Sequence, residues 1–192
     1  MNKVNALRAN RQGFTLIELL IVVGIISVLI VVLAFAVLPW LKKSEEKATR
    51  TLLQQIGPVV TAEKVPPTIQ KFKKDAGPLS GRIAADEKFA SSQMMLFYAA
   101  PSRSVWEGSA LYKDRNYAPA IEPEQFAKFT REEGGRLPHL VDAWENPIWY
   151  VYDKTVKAGF VFSAGEDGQR GTPDDLIFDS RNNSVKSREE LE

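Results

Sequence analysis

From Leu19 to Leu38 the chain carries no charge, and only Gly24 and Ser27 interrupt a series of Leu, Ile, Val, Ala and Phe. About 20 such residues, each rising about 1.5 Å along a helix, match a hydrocarbon core about 30 Å thick, so the run predicts a membrane-spanning helix. Beyond it the pattern changes. Leu41, Ala48, Leu52 and Ile56 recur at helical spacing among Lys, Glu, Thr and Gln, which predicts an amphipathic continuation that Gly57-Pro58 ends. Pro39 lacks an amide hydrogen and predicts a kink between the two stretches. Trp40, just past the run, suits an interfacial anchor.

Residues 58–139 show no single period. Ile69 to Lys74 reads as a short basic helix capped by Gly77, with Lys71, Lys73 and Lys74 on a solvated face. Asp86 to Ala99 predicts a second helix, stopped by Pro101, whose core face holds Phe89, Met94, Met95, Leu96, Phe97 and Tyr98. Pro123 to Glu133 predicts a third, ending at Gly134-Gly135. Trp106, Tyr112 and Tyr117 lie in a stretch with no clean period. After residue 140 the period shortens: Ile148–Tyr152 and Gly159–Phe162 predict a β-hairpin turning over 153–157, and Leu176–Phe178 a closing strand. From Asp179 onward the tail is polar and expected to be loose. The predicted fold class is α+β, a long N-terminal helix packed on a small antiparallel β-sheet. Its divisions are 1–13, a basic leader; 14–57, the helix; 58–139, a helical and loop region; 140–179, the sheet; and 180–192, the tail.

Charge and composition narrow the chemistry. A transmembrane helix leaves about 140 residues outside the bilayer, enough for one compact domain. The formal net charge of +1 becomes −2 once Lys3, Arg8 and Arg11 of the leader are taken away, so the remainder is no nucleic-acid-binding surface. There are no cysteines and one histidine, which excludes a disulfide framework, a cysteine nucleophile and a zinc site of several imidazoles. His139, beside Pro138, reads as a loop residue. No Ser/His/Asp set, phosphate loop or histidine cluster is present, so no enzyme is predicted. Ala34-Phe35-Ala36 weakly matches a secretory cleavage site, but the helical pattern continues past it. The basic leader favours a cytoplasmic N-terminus. Glu18 stands at the edge of the apolar run without a cation within a helical turn, and a carboxylate in lipid costs about 2.5–3.5 kcal/mol, so it calls for a partner or a function.

Gly13-Phe14-Thr15-Leu16-Ile17-Glu18 resembles the processing site of type IV prepilins and type II secretion pseudopilins, the class III signal. The resemblance implies a type IV pilin-like fold and cleavage between Gly13 and Phe14 by a prepilin peptidase, followed by N-methylation of Phe14. It also implies use of Glu18 in filament assembly. Cleavage creates an ammonium at Phe14 that a neighbouring subunit's Glu18 can pair with, so that two buried charges costly alone become tolerable together. Pro39-Trp40-Leu41…Glu46-Lys47-Ala48 resembles a stretch that secretion pseudopilins carry about one helical turn nearer the mature N-terminus.

The loop after the predicted hairpin has its own chemistry. Asp167, Asp174 and Asp175 supply carboxylates, and Gly165, Gly168 and Gly171 let the backbone turn tightly. Hard calcium takes six to eight oxygens from such groups, although the spacing is not that of an EF-hand. Asp142-x-Trp144-x-Asn146-Pro147…Tyr150 together with Ser163-Ala164-Gly165-Glu166-Asp167-Gly168…Gly171-Thr172-x-Asp174-Asp175 is similar to the type II secretion major pseudopilin and its calcium loop. That likeness implies calcium held by the side chains of Asp167, Asp174 and Asp175 and the carbonyls of Ala164 and Gln169. This chain departs from it at Glu145, where the family often has glycine, and at Ile148, where it often has an aromatic. The two resemblances cover residues 8–56 and 140–178; 60–135 have no counterpart in them. They imply a non-enzymatic pseudopilin subunit, held single-pass in a bacterial inner membrane with its N-terminus cytoplasmic and its C-terminal domain periplasmic, and assembled into a periplasmic filament that drives type II protein secretion. Its implied partners are copies of itself, minor pseudopilins, the peptidase and an inner-membrane assembly platform. The alternatives are a minor type IV pilus pilin and, from a different class, a membrane-anchored binding module.

Overall fold

The computed structural model describes residues 14–62, 67–113 and 119–191. The leader 1–13, including Gly13, and Tyr117 lie outside the described residues. The chain forms two units, one up to Lys43 and one from Ser44 onward.

Helix α1 (Leu16–Thr61) contributes to both. In the first unit its apolar side chains are all solvent-facing: Leu19, Ile25, Leu29, Leu33 and Phe35 are each more than half exposed. Ser27 donates to the Val23 carbonyl at 2.8 Å, so its hydroxyl is satisfied within the helix. Among the described residues α1 is the one helix long and apolar enough to cross a membrane.

In the second unit α1 becomes one-sided. Thr49, Leu52, Leu53, Ile56, Gly57 and Val60 are buried, at the spacing of a single helical face. The helix does not end at Gly57-Pro58 as expected, but continues to Thr61. Gly57 is there for close approach: a Cβ on it would collide with the Phe178 ring. Pro58 already has a φ that suits a helix, and its missing N–H removes only the bond to the Gln54 carbonyl. Ala62 N donates to the Pro58 carbonyl at 3.0 Å, which closes the last turn.

Four antiparallel strands face this helix in the order β3 (Trp149–Asp153), β4 (Ala158–Ser163), β5 (Leu176–Asp179) and β6 (Ser184–Ser187). Tyr150, Val161 and Phe178 are opposite one another in register and, with Val185 beyond them, line the inner face. The expected loose tail is therefore a strand. Val185 packs on the core, Gln54 donates to the Asn183 carbonyl at 3.0 Å and Arg50 to the Val185 carbonyl at 3.2 Å, so the tail is bound to α1.

The middle region packs as helices. Thr68 caps α2 (Ile69–Ala76), whose end is set by Gly77 at φ 57°. Lys73 and Lys74 are exposed as expected. Lys71 is half-buried on the same face, where it pairs with Asp75 at 3.2 Å and lies 4.4 Å over the Tyr98 ring. Helix α3 (Glu87–Ala99) starts at an Asp86 cap and supplies Met94, Met95 and Phe97 to the core. The aperiodic stretch holds two short turns of helix, α4 (Arg103–Trp106) and α5 (Ala110–Lys113), and buries Trp106 against Phe72 and Phe97. The expected third helix is a 3₁₀ turn over Pro123–Phe129, because Phe126 and Phe129 bury at a spacing of three. It is followed by β1 (Thr130–Arg131), paired with β2 (His139–Leu140) around Gly134 and Gly135 at positive φ. His139 is accordingly a buried strand residue, edge-on to Phe89 at 5.0 Å, and not a loop residue.

Candidate functional site

The loop between β4 and β5 hangs from the Asp142 turn. Asp142 is 1% exposed. One carboxylate oxygen accepts the amides of Trp144 and Asn146, both at 2.9 Å, and the other accepts the Ser163 hydroxyl at 2.5 Å. Burial pushes the Asp142 carboxyl up from its usual range, and these donors offset part of that rise. Asn146 in turn donates to the Gly165 carbonyl at 2.8 Å, while its side-chain oxygen fills the place a Cβ on Gly168 would take. Gly165 and Gly168 have φ of 62° and 66°, the region that favours glycine. At Glu145 the chain also enters that region, φ 69°, which explains why glycine suits the position. Here Arg131 holds the Glu145 side chain through both carboxylate oxygens.

Within the loop, oxygens converge on one hydroxyl. Thr172 Oγ1 lies 2.7 Å from Asp174 Oδ1, 3.0 Å from the Gln169 carbonyl and 3.4 Å from Asp167 Oδ1. One hydroxyl proton thus faces three acceptors. Burial raises the Asp174 carboxyl, but the Thr172 hydroxyl and the Asp167 and Glu166 amides outweigh it and hold it below the usual range. Asp175 stands apart from this group. It is 1% exposed; its Oδ2 accepts from the Gly171 amide at 2.8 Å and from Arg188 Nε at 3.2 Å, and its Oδ1 is buried with no donor.

Of the five expected metal ligands, Asp167, Gln169 and Asp174 come together, Asp175 offers a bare buried oxygen, and Ala164 is buried at the loop's start. No group of three or more His, Asp or Glu gathers closely enough to hold a metal among the described residues. The donor set is all oxygen, which fits a hard cation. Arg188 escaped the sequence reading, and Thr172 stood in the loop motif without a role. A hydroxyl carries no metal signature, and Arg188 lies beyond the stretch with a recognisable pattern.

At the start of α1, Thr15 and Glu18 form a capping box. The Glu18 amide reaches Thr15 Oγ1 at 3.3 Å, while the Thr15 amide and hydroxyl donate to Glu18 Oε2 at 2.8 and 2.9 Å. The Thr-x-x-Glu spacing could have revealed it. Phe14 is 85% exposed. Residues 8–34 match the family described as the prokaryotic N-terminal methylation motif. The chain carries a type IV pilin-like signal. That signal contains Gly13, Phe14 and Glu18, and it supports processing by a prepilin peptidase, membrane anchoring by the apolar helix and filament assembly. Comparison with curated proteins and with solved structures gives no match.

Proposed function

We propose that this chain is a pseudopilin, a non-enzymatic subunit of the periplasmic filament that drives type II protein secretion. A prepilin peptidase cuts after Gly13 and methylates Phe14. The first half of α1 then holds the subunit, single-pass, in a bacterial inner membrane, with its N-terminus cytoplasmic and its domain periplasmic. The inner-membrane platform draws it into a helical homopolymer, with minor pseudopilins, in which Glu18 meets the Phe14 ammonium of a neighbour.

The observation that supports secretion over a pilus is the convergence of Asp167, Gln169 and Asp174 oxygens on Thr172, with Asp175 Oδ1 bare nearby in sequence. Calcium would supply positive charge to these oxygens and to the Ala164 carbonyl, so binding would add to the folding free energy of the loop and last strands. In the full chain in detergent micelles, EGTA is expected to lower the melting temperature, and Asp174→Ala to abolish the effect. A melting temperature indifferent to EGTA removes the metal. A second reading, a minor type IV pilus pilin, is favoured by the aromatic packing of Phe72, Phe97 and Trp106 in the large middle region. Electron micrographs of cells overproducing the chain together with a secretion platform or a pilus platform separate the two.

A further inference from the structure

Arg188 lies just past β6, and it reaches back to Asp175 at the end of the loop between β4 and β5. Its Nε is 3.2 Å from Asp175 Oδ2, and its amide donates to the Asp175 carbonyl at 2.9 Å. Asp175 is 1% exposed, so an ionised carboxylate there requires a countercharge. Arg188 supplies one. It engages a single oxygen and leaves Oδ1 buried without a donor, although a guanidinium can serve both oxygens of a carboxylate. The pair is therefore incomplete on the side of one carboxylate oxygen.

We propose that Arg188 is an internal counter-cation that competes with a divalent metal for Asp175 and thereby sets the metal affinity of the loop. The inference rests on the calcium reading above and adds the residue that opposes it. Two cations cannot share one buried carboxylate without repelling each other, so the loop binds calcium at the expense of the Arg188 contact. The consequence reaches α1. Ser187, next to Arg188, donates its amide to Glu190 Oε2 at 2.7 Å, and Glu190 also meets Arg50 of α1 at 3.4 Å. Loop occupancy and the hold of the C-terminal segment on α1 are thus linked through two adjacent residues.

The test is calorimetric titration of the full chain in detergent micelles with calcium chloride at low ionic strength. Arg188→Gln is expected to bind calcium more tightly, by on the order of tenfold, because a nearby positive charge has gone. Arg188→Lys keeps the charge and is expected to stay near the wild type. In EGTA, Arg188→Gln should melt below the wild type, and saturating calcium should close that gap. A measurement on the wild type needs no variant: with arginine labelled at 15Nε, calcium should move the Arg188 Nε–H signal toward that of a solvated arginine. Equal or weaker calcium binding by Arg188→Gln, or an Arg188 signal unmoved at saturating calcium, overturns the competition and leaves the calcium reading standing. If neither the wild type nor Arg188→Gln binds calcium while both melt cooperatively, the calcium reading fails and takes this proposal with it.

Discussion

From Leu19 to Leu38, α1 is apolar on every side and exposed throughout, whereas from Ser44 to Thr61 it is apolar on one side only, and that side is buried. Leu52, Leu53, Ile56 and Val60 each gain about 1.5–3 kcal/mol from that burial. No such gain is available to the first half in water, since its side chains meet nothing that would shield them. One-sided apolarity finds its partner within the same chain; all-round apolarity requires a different solvent. The two glycines of the helix carry the same contrast. Gly57 is pressed by the Phe178 ring, while a Cβ on Gly24 would meet nothing within 4 Å.

The largest effect should come from the turn on which the packed half rests. The Ala143 amide donates to Thr49 Oγ1 of α1 at 3.1 Å, and Asp142 shapes that turn. Asp142→Ala strands two amides and a hydroxyl, at about 1–3 kcal/mol each, so chemical denaturation should show a loss of about 4 kcal/mol. Asp142→Asn keeps the acceptor for the two amides and should lose less than half of that. Because burial raises the folded carboxyl above its unfolded value, the charged form costs stability at neutral pH. That cost fades as pH falls through the raised value toward about 3.9. The stability of wild type relative to Asp142→Asn should therefore improve on acidification, and a difference that does not change with pH would contradict the assignment.

Next in size is the glycine pair. Gly57→Ala should cost about 2–3 kcal/mol by overpacking against Phe178, whereas Gly24→Ala should leave the melting of the domain untouched and favour helix by about 1 kcal/mol locally. Equal effects at the two sites would erase the distinction between the halves. Smallest in folding terms is Glu18→Ala, which removes the acid half of the capping box at the helix start. Membrane insertion and cleavage should persist, and the loss should fall on filament yield. Normal yield would end the assembly role assigned to Glu18.

Local signals were the legible part of the chain. The helix from Asp86 to Ala99, the Gly77 stop and the β3–β4 hairpin follow from residues adjacent in sequence, and each is found close to where the pattern puts it. What stayed hidden depends on contacts across the fold. Gly57 reads as a helix end until Phe178 is seen against it, and β6 itself offers one apolar residue, Val185, in a mostly polar tail. The loop was half legible. Its acids were visible, but the central place of the Thr172 hydroxyl among them and the arginine thirteen positions beyond Asp175 were not.

The Thr15–Glu18 box has a consequence for how a neighbouring subunit would dock. A free glutamate side chain loses rotameric entropy when it is fixed. Here the chain's own threonine has already fixed it, through Oε2 alone, before any other molecule arrives. The ammonium proposed to dock there would meet a stationary target whose second oxygen lies outside those bonds. The ordering cost of such an encounter would then fall on the cut terminus, and the helix that receives it would contribute almost none.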